Sequence, residues 1–350
     1  MISVCMIVKD EELYLRDTLI AIKRYFNDVI IVDTGSQDKT KEIAKEYTDK
    51  VYDYNWCNDF SDARNYSLSF ADNSWILVID SDEKIIDIDY EKIVQFINSS
   101  NGDSIGRITL INDIDDDNGA STYKEFVNRL FRKDIYKYQG KIHEQLVSVD
   151  GTTGEMVPID LVVEHLGYTK KAISRTNKIY RNINMLKEAI TDKPKDSYLI
   201  YQLGKSHYLN KDFKNANECF KSALVYEKNL KLEYMEDLIE TYGYSLINSG
   251  EYKIAKEILK FENHYNSTEF IFLKALIFMN NGEFKLSVEE FLKCTKMSES
   301  KIDGINSYKA NYNIGVIFEC LGISEEAKKY YLYCGEYIPA QQALKRIGNF

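Results

Sequence analysis

The sequence has few residues that interrupt regular structure and no long apolar run. Only 3 prolines and 17 glycines occur among 350 residues, which favours long helices and strands with few breaks. No apolar stretch approaches the roughly 18 residues that a membrane helix needs, so no membrane span is predicted. The chain begins on an apolar run without the basic lead and small-residue cleavage site of a secretory signal, and we therefore expect a cytoplasmic protein.

Two patterns that would identify other classes of protein are missing as well. None of the six cysteines belongs to a Cys-x-x-Cys pair, which argues against zinc ribbons and disulfide frameworks and favours reduced core cysteines. The first glycine of the chain is Gly35. A nucleotidyltransferase or a dinucleotide dehydrogenase would have a glycine-rich loop directly after its first strand, so both classes are set aside.

Basic charge is scarce in the first half of the chain, although the overall net charge is only −10. Residues 1–169 contain 18 Lys and Arg against 32 Asp and Glu, a net charge of −14, whereas residues 170–350 contain 27 against 23, a net charge of +4. Nucleic-acid phosphates are bound by clusters of Lys and Arg, so the charge argues against a nucleic-acid partner. If the first half binds phosphate, it needs a cation as intermediary.

Apolar runs alternate with amphipathic segments at the start of the chain. The runs suit strands buried on both faces, and their alternation with helical patterns predicts crossover units and a mostly parallel sheet. Ligands of such sheets bind at the carboxyl ends of the strands, where Asp33 and Asp80 are expected. The runs are Ile2–Val8, Val29–Val32, Val51–Tyr54 and Trp75–Ile79.

From residue 198 onward the sequence repeats itself. Four segments align by a small residue in a first helix, and eight or nine residues later each reaches the start of a second amphipathic helix. Helix pairs that recur every 32 to 40 residues resemble tetratricopeptide repeats, in which small residues let neighbouring helices approach closely. The four small residues are Gly204, Gly243, Ala275 and Gly315.

Four polar motifs lie in the first half, at or near the ends of the predicted strands. In the last of them, two carboxylates one residue apart leave a buried strand, an arrangement that can direct one side chain to a ribose and the next to a hard divalent cation. Asp33 has the form of a strand-end acid that accepts hydrogen bonds from a nucleoside. The motifs occupy residues 8–12 (VKDEE), 33–40 (DTGSQDKT), 60–65 (FSDARN) and 80–83 (DSDE).

These motifs, in this order, resemble the signatures of inverting family 2 glycosyltransferases with the GT-A fold. The subgroup with an added His-Glu pair and tetratricopeptide repeats matches best. It includes peptide S-glycosyltransferases of the sublancin type and enzymes that modify surface polysaccharides or proteins. The resemblance implies an α/β GT-A domain with a Rossmann-like, mostly parallel sheet at residues 1–168. A linking helix at 169–196 and an all-α repeat domain at 197–350 would follow.

The resemblance also implies roles for individual residues. Arg64 would meet the diphosphate or the donor sugar, with a salt bridge on the helix surface as the alternative, and Asp80 would meet the ribose. Asp10 stands where the family usually has Asn, which adds acidity beside the nucleotide. The implied contacts of the nucleotide sugar are Val8, Glu11, Asp33, Arg64, Asp80 and Ser81.

A metal site is implied at Asp82 and His165. Asp82 is the second acid of the DxD motif, and His165 resembles the late histidine that completes the metal site in many GT-A enzymes. Carboxylate oxygen and neutral imidazole are competent ligands for manganese, and the expected cofactor is Mn²⁺ or Mg²⁺. A core or capping role is the alternative for His165.

The pair His143-Glu144 resembles the family's His-Glu pair near the acceptor. An inverting transfer needs one group to take the acceptor's proton as the acceptor attacks the anomeric carbon. Glu144 is the candidate base and His143 competes for that role. A thiol acceptor would need less help than a hydroxyl.

The sequence thus predicts a metal-dependent inverting glycosyltransferase. The donor is expected to be a UDP-hexose or UDP-N-acetylhexosamine, and the acceptor a peptide or protein side chain held partly by the repeats. Surface polysaccharide and lipid-linked acceptors are the alternative, and so is a non-catalytic repeat scaffold with a degenerate GT-A domain. The repeats also offer a surface through which a homodimer could form.

Overall fold

The computed structural model describes residues 1–100, 102–116, 119–151, 154–165 and 172–348. The chain divides into two compact units. The first comprises Met1–Ile114 and Tyr123–Lys170, and the second comprises Asp115–Thr122 and Lys171–Phe350. The predicted domain boundary between residues 168 and 169 lies outside the described residues.

Among the described residues, eight strands form one sheet in the order β3-β2-β1-β4-β7-β6-β10-β5, and β8 and β9 form a separate two-stranded sheet. The strands β1 to β4 are parallel to one another, and β7 joins β4 antiparallel. The predicted α/β architecture is confirmed. The strands are β1 Ile2–Val8, β2 Asp28–Asp33, β3 Val51–Asp53, β4 Trp75–Val78, β5 Glu83–Ile88, β6 Ile105–Asp116, β7 Gly119–Arg132, β8 Tyr136–Gln139, β9 Gln145–Ser148 and β10 Met156–His165.

Both faces of the parallel half are covered, which explains why its strands are largely apolar. Alternate residues of a strand point to opposite faces. Accordingly, Val4 and Met6 of β1 belong to one hydrophobic cluster, with residues of the helices α1, α2 and α4. Cys5 belongs to a second cluster, with residues of α3 and β8. These helices are α1 Leu15–Lys23, α2 Thr40–Tyr47, α3 Phe60–Ser69 and α4 Tyr90–Ser99.

Pairs of helices make up most of the second unit, as the repeat pattern predicted. The second helices of the first three repeats begin at Phe213, Tyr252 and Phe284, the positions expected from the sequence. The small residues of the first helices make room for these partners, since a Cβ on Gly204 would lie 2.7 Å from the ring of Phe220. The α-helices are α5 Ala172–Asp192, α6 Ser197–Leu209, α7 Phe213–Tyr226, α8 Tyr234–Asn248, α9 Tyr252–Ala255, α10 Thr268–Asn280, α11 Phe284–Cys294, α12 Tyr308–Cys320, α13 Ser324–Leu332 and α14 Ile338–Ile347, and a 3₁₀ helix, Lys256–Phe261, follows α9.

The repeat helices are not membrane spans. Within the described part of the chain, no helix combines the length and the apolar character needed to cross a bilayer.

Candidate active site

The carboxyl ends of β1 and β2 lie side by side, because Val8 pairs with Asp33 in the parallel register. Asp33 is only 3% exposed. Its Oδ1 accepts the backbone N–H groups of Gly35 (2.9 Å) and Ser36 (3.0 Å), in a turn that Gly35 makes with a φ of +107°. Its Oδ2 is buried and has no hydrogen-bond partner among the described residues. A buried carboxylate oxygen of this kind is costly unless a ligand or water satisfies it.

The loops that follow β1 and β2 are joined by hydrogen bonds. Asp10 lies in the left-handed region (φ 55°), where Asp and Asn are both tolerated. Its Oδ1 accepts the backbone N–H of Gln37 at 2.7 Å, and the backbone N–H of Glu11 donates to Thr40 Oγ1 at 2.6 Å. Asp10 thus has a local role in holding the two loops together.

A buried ion-pair network follows the end of β4. Arg64 of α3 donates from Nη1 to Asp80 Oδ1 (3.0 Å) and from Nε to Glu144 Oε1 (2.6 Å). Arg129 of β7 donates from Nη2 to Asp80 Oδ2 (3.0 Å) and to Glu83 Oε1 (2.7 Å). The structure therefore brings together three of the predicted residues, Arg64, Asp80 and Glu144, and both carboxylate oxygens of Asp80 are held by guanidinium groups.

The network shifts the acidity of its members in opposite directions. Burial alone would raise the pKa of Asp80, but the charges of Arg64 and Arg129 outweigh it and hold that pKa well below the usual range. For Glu83, burial is the larger effect and, with the negative charge of Asp80, raises the pKa to about 7 against the opposing charge of Arg129. Asp80 therefore stays ionised at neutral pH.

Arg129 is a site residue that the sequence reasoning missed. It adjoins Leu130, which pairs with Leu77 of β4, and this pairing brings the arginine to the DxD segment. The available signal was a basic residue directly before the apolar pair Leu130-Phe131, in the strand sequence VNRLF. That signal says that the arginine needs a buried partner, but it does not say which one.

The two predicted metal ligands are adjacent. His165 Nε2 lies 3.0 Å from Asp82 Oδ2, because β10 pairs with β5 and sets His165 opposite Glu83. Burial tends to lower the pKa of His165, but the hydrogen bond and charge of Asp82 and the nearby acids raise it above the ordinary value.

This donor set fits a cation that retains other ligands. No group of three or more His, Cys, Asp or Glu side chains arranged to hold a metal ion occurs in the described part of the chain. A carboxylate and an imidazole are suitable ligands for Mn²⁺, and Mg²⁺ is commonly held by one or two carboxylates together with substrate phosphates and water. Asp82 and His165 would thus hold such an ion in the presence of a phosphate ligand.

Two further predicted residues, Ser81 and His143, are chain neighbours of the acids described above. Ser81 is buried between the two acids of the DxD motif, and its carbonyl accepts a hydrogen bond from Thr18 Oγ1 at 2.9 Å. His143 has a positive φ of 51° and precedes Glu144 in the loop between β8 and β9. The carboxylate of Glu144, and not its neighbour's imidazole, is the group that Arg64 holds.

Residues 3–150 match a family model described as glycosyl transferase family 2. A TPR repeat-containing protein of Synechococcus elongatus is 30% identical over 235 residues, which cover 64% of this chain and 56% of that protein. The SPbeta prophage-derived glycosyltransferase SunS of Bacillus subtilis is 28% identical over 227 residues, 64% of this chain and 53% of SunS. The chain thus spans about half the length of these relatives. YrrB, described as a TPR protein with an unusual peptide-binding site, superposes with a TM-score of 0.40 at 22% identity, over 49% of this chain and 87% of that one.

Proposed function

We propose that the chain, whose residues 3–150 match the glycosyl transferase family 2 model, is a metal-dependent inverting glycosyltransferase that uses a UDP-sugar. The observation that supports this most directly is the buried network in which Arg64 links Asp80 of the DxD motif to Glu144, the candidate base. The same ion pairs would also stabilise a non-catalytic scaffold, which is the alternative, and thermal unfolding with nucleotides separates the two.

The donor site is proposed at the ends of β1, β2 and β4. Uracil carries an N–H donor, and the buried, unpartnered Oδ2 of Asp33 is an acceptor suited to it. Val8, Glu11 and Ser81 are assigned to the same ligand from the family resemblance. When bound at Asp82 and His165, a divalent cation supplies positive charge that neutralises the diphosphate leaving group.

Glu144 is the proposed base. Arg64 holds Glu144 Oε1 at 2.6 Å and thereby orients the carboxylate, whose other oxygen we assign to accept the proton of the attacking acceptor. Arg64 uses Nε and Nη1 for its two ion pairs, and its earlier assignment to the diphosphate stays a prediction. His143 remains the competing base, and a comparison of His143→Ala with Glu144→Gln decides between them.

A peptide or protein side chain is the proposed acceptor. Helical repeats form extended surfaces on which peptide segments can bind, and the family subgroup that the motifs resemble includes peptide S-glycosyltransferases. Polysaccharide and lipid-linked acceptors, and a homodimer through the repeats, remain alternatives for the use of this surface. Mass spectrometry of candidate peptides, incubated with a panel of nucleotide sugars, identifies the acceptor and the modified atom.

The donor and metal assignments are tested together by thermal unfolding with nucleotides. UDP and UDP-sugars at about 100 times their dissociation constant stabilise the chain by about 2.7 kcal/mol, and we expect this gain to require Mn²⁺ or Mg²⁺. Asp82→Asn should remove this gain without lowering the melting temperature of the ligand-free chain. Asp72→Asn, at an exposed position, is the control and should keep the gain. If no UDP or GDP compound gives a metal-dependent rise, the proposal is wrong.

A further inference from the structure

Asn65 adjoins Arg64 in the motif Ala63-Arg64-Asn65, and its side chain binds the strand that leads to the candidate catalytic loop. Its Nδ2 donates to the carbonyl of Tyr138 at 2.9 Å, and its Oδ1 accepts the backbone N–H of Tyr138 at 2.9 Å. Both polar ends of the amide are therefore used on the backbone of one residue, 73 positions along the chain.

The conformation of the loop at residues 140–144 depends on hydrogen bonds and ion pairs from residues outside the loop, such as that of Asn65. Its backbone has a positive φ at Gly140 (113°) and again at His143 (51°), so no regular ladder fixes its course. The strands on either side, β8 and β9, pair with each other outside the large sheet. Helix α3 supplies two further anchors, the backbone N–H of Phe60 on Lys141 O (2.9 Å) and the ion pair of Arg64 with Glu144.

Tyr138 in turn supports Arg64. Its ring is buried, packs edge-on against Phe131 with centroids 5.6 Å apart, and lies under the Arg64 guanidinium, whose Cζ is 5.5 Å from the ring centroid. A shift of the Tyr138 backbone would therefore move both the support of Arg64 and the start of the loop that carries Glu144.

We propose that Asn65 is a positioning residue for glycosyl transfer, which holds Tyr138 and thereby keeps Glu144 and Arg64 in register with the donor site. The proposal rests on the proposed function, because it acts through Glu144 as base. Displacement of a catalytic group by about 1 Å can lower the rate about 100-fold. Most of the assigned donor contacts, among them Asp33 and Asp82, belong to other elements, so we expect donor binding to change much less than turnover even when Arg64 shifts.

The test uses the full chain with Mn²⁺ and measures UDP released from UDP-glucose, UDP-galactose and UDP-N-acetylglucosamine, with water as acceptor. We expect Asn65→Ala to lower kcat about 100-fold and to change the KM of the donor by less than about threefold. In a Glu144→Gln background the same substitution should lower kcat by less than about a further threefold, since the effects of residues that act through one another are not additive. Asn73→Ala, which removes an amide donor to Ser3 Oγ (3.1 Å) at the opposite edge of the sheet, is the matched control.

Hydrogen exchange measured by mass spectrometry provides a readout that is independent of turnover. Asn65→Ala should speed exchange in peptides covering residues 138–146 and leave peptides of β1 and β2 unchanged. Asn65→Asp, which keeps the acceptor for Tyr138 N–H but faces the Tyr138 carbonyl with a second oxygen, is the nearly isosteric variant for use if the alanine variant unfolds.

Three results would overturn the assignment. Unchanged exchange at residues 138–146 would show that Asn65 does not hold the loop. Faster exchange in Asn65→Ala with a wild-type kcat would show that the role of Asn65 is structural only. The same conclusion would follow if Asn65→Ala lowered kcat by the full factor of about 100 in the Glu144→Gln background as well. A wild-type chain that neither binds nor hydrolyses any of the three donors would overturn the proposed function itself, and this assignment with it.

Discussion

Arg129 neutralises two acids of the candidate active site. It is the common partner of Asp80 and Glu83, and the Glu83 side chain is only 3% exposed. When one partner of a buried ion pair is removed, the other is left as an uncompensated charge, which costs far more than an exposed pair contributes. The sequence-predicted acids of the DxD segment therefore require an arginine that no motif identified.

We predict that Arg129→Ala lowers the free energy of unfolding of the first unit by about 3–5 kcal/mol. Arg132→Ala is the control in the same strand, because Arg132 pairs with the half-exposed Asp134, and it should cost no more than about 1 kcal/mol. Urea unfolding followed by tryptophan fluorescence reports on this unit alone, since Trp56 and Trp75 are the two tryptophans of the chain. Equal costs for the two variants would contradict the structural role of Arg129.

At the scale of elements, polar residues also join the amino-terminal ends of the parallel strands, which lie opposite the candidate site. Asp28 begins β2, and its Oδ2 accepts Ser3 Oγ of β1 (2.5 Å) and the backbone N–H of Asp72 (2.9 Å) before β4. Its Oδ1 accepts Lys50 Nζ (2.6 Å) before β3. Burial tends to raise the pKa of Asp28, but the hydrogen bonds from Lys50, Ser3 and Asp72 together lower it below the ordinary value. One carboxylate thus ties the starts of four parallel strands.

This lowered pKa predicts an acid-sensitive contribution to stability. The unfolded chain takes up a proton at Asp28 near the ordinary value, about 3.9, whereas the folded chain does so only at lower pH. The stabilisation is therefore present above that value and is lost as the pH falls through the folded pKa. Between about pH 5 and about pH 3, the wild type should lose more unfolding free energy than Asp28→Asn, as measured by urea unfolding. Asp49→Asn, at an exposed position, should follow the wild type, and a parallel loss in Asp28→Asn would contradict the prediction.

At the scale of the molecule, the uneven charge has a consequence for donor binding. The net charge of −14 over residues 1–169 repels a nucleotide diphosphate, and the two arginines of the candidate site are already paired with Asp80, Glu83 and Glu144. Added salt screens such repulsion. A phosphate site built from basic residues would show the opposite dependence, because salt screens its attraction.

We therefore predict that, in EDTA, raising KCl from about 10 mM to about 150 mM strengthens UDP binding severalfold, because the Debye length falls from about 30 Å to about 8 Å. With Mn²⁺ present, UDP should bind more tightly at both salt concentrations. Titration calorimetry with UDP measures both effects. Weaker binding at the higher salt concentration without the divalent ion would show that free basic charge, and not a cation, receives the diphosphate.

The sequence by itself determined the elements and the strand-end acids of this protein. Apolar runs predict buried strands, small residues at a regular spacing predict packed helix pairs, and the ends of parallel strands meet at one edge whatever the rest of the fold does. For that reason the sequence assigns Asp33, Asp80 and Asp82 to one edge of the sheet. Each of these inferences depends on residues that are neighbours in the chain.

The tertiary structure alone decided which side chains face one another. Arg64 and Glu144 are 80 residues apart, Asp82 and His165 are 83 apart, and Arg129 and Asp80 are 49 apart. The second and third contacts follow from the strand order, which places β10 beside β5 and β7 beside β4. The first follows from the packing of α3 against β8, where Asn65 binds the backbone of Tyr138. The hydrophobic periodicity of a strand indicates which of its faces is buried, but it contains no information about which strand lies beside it.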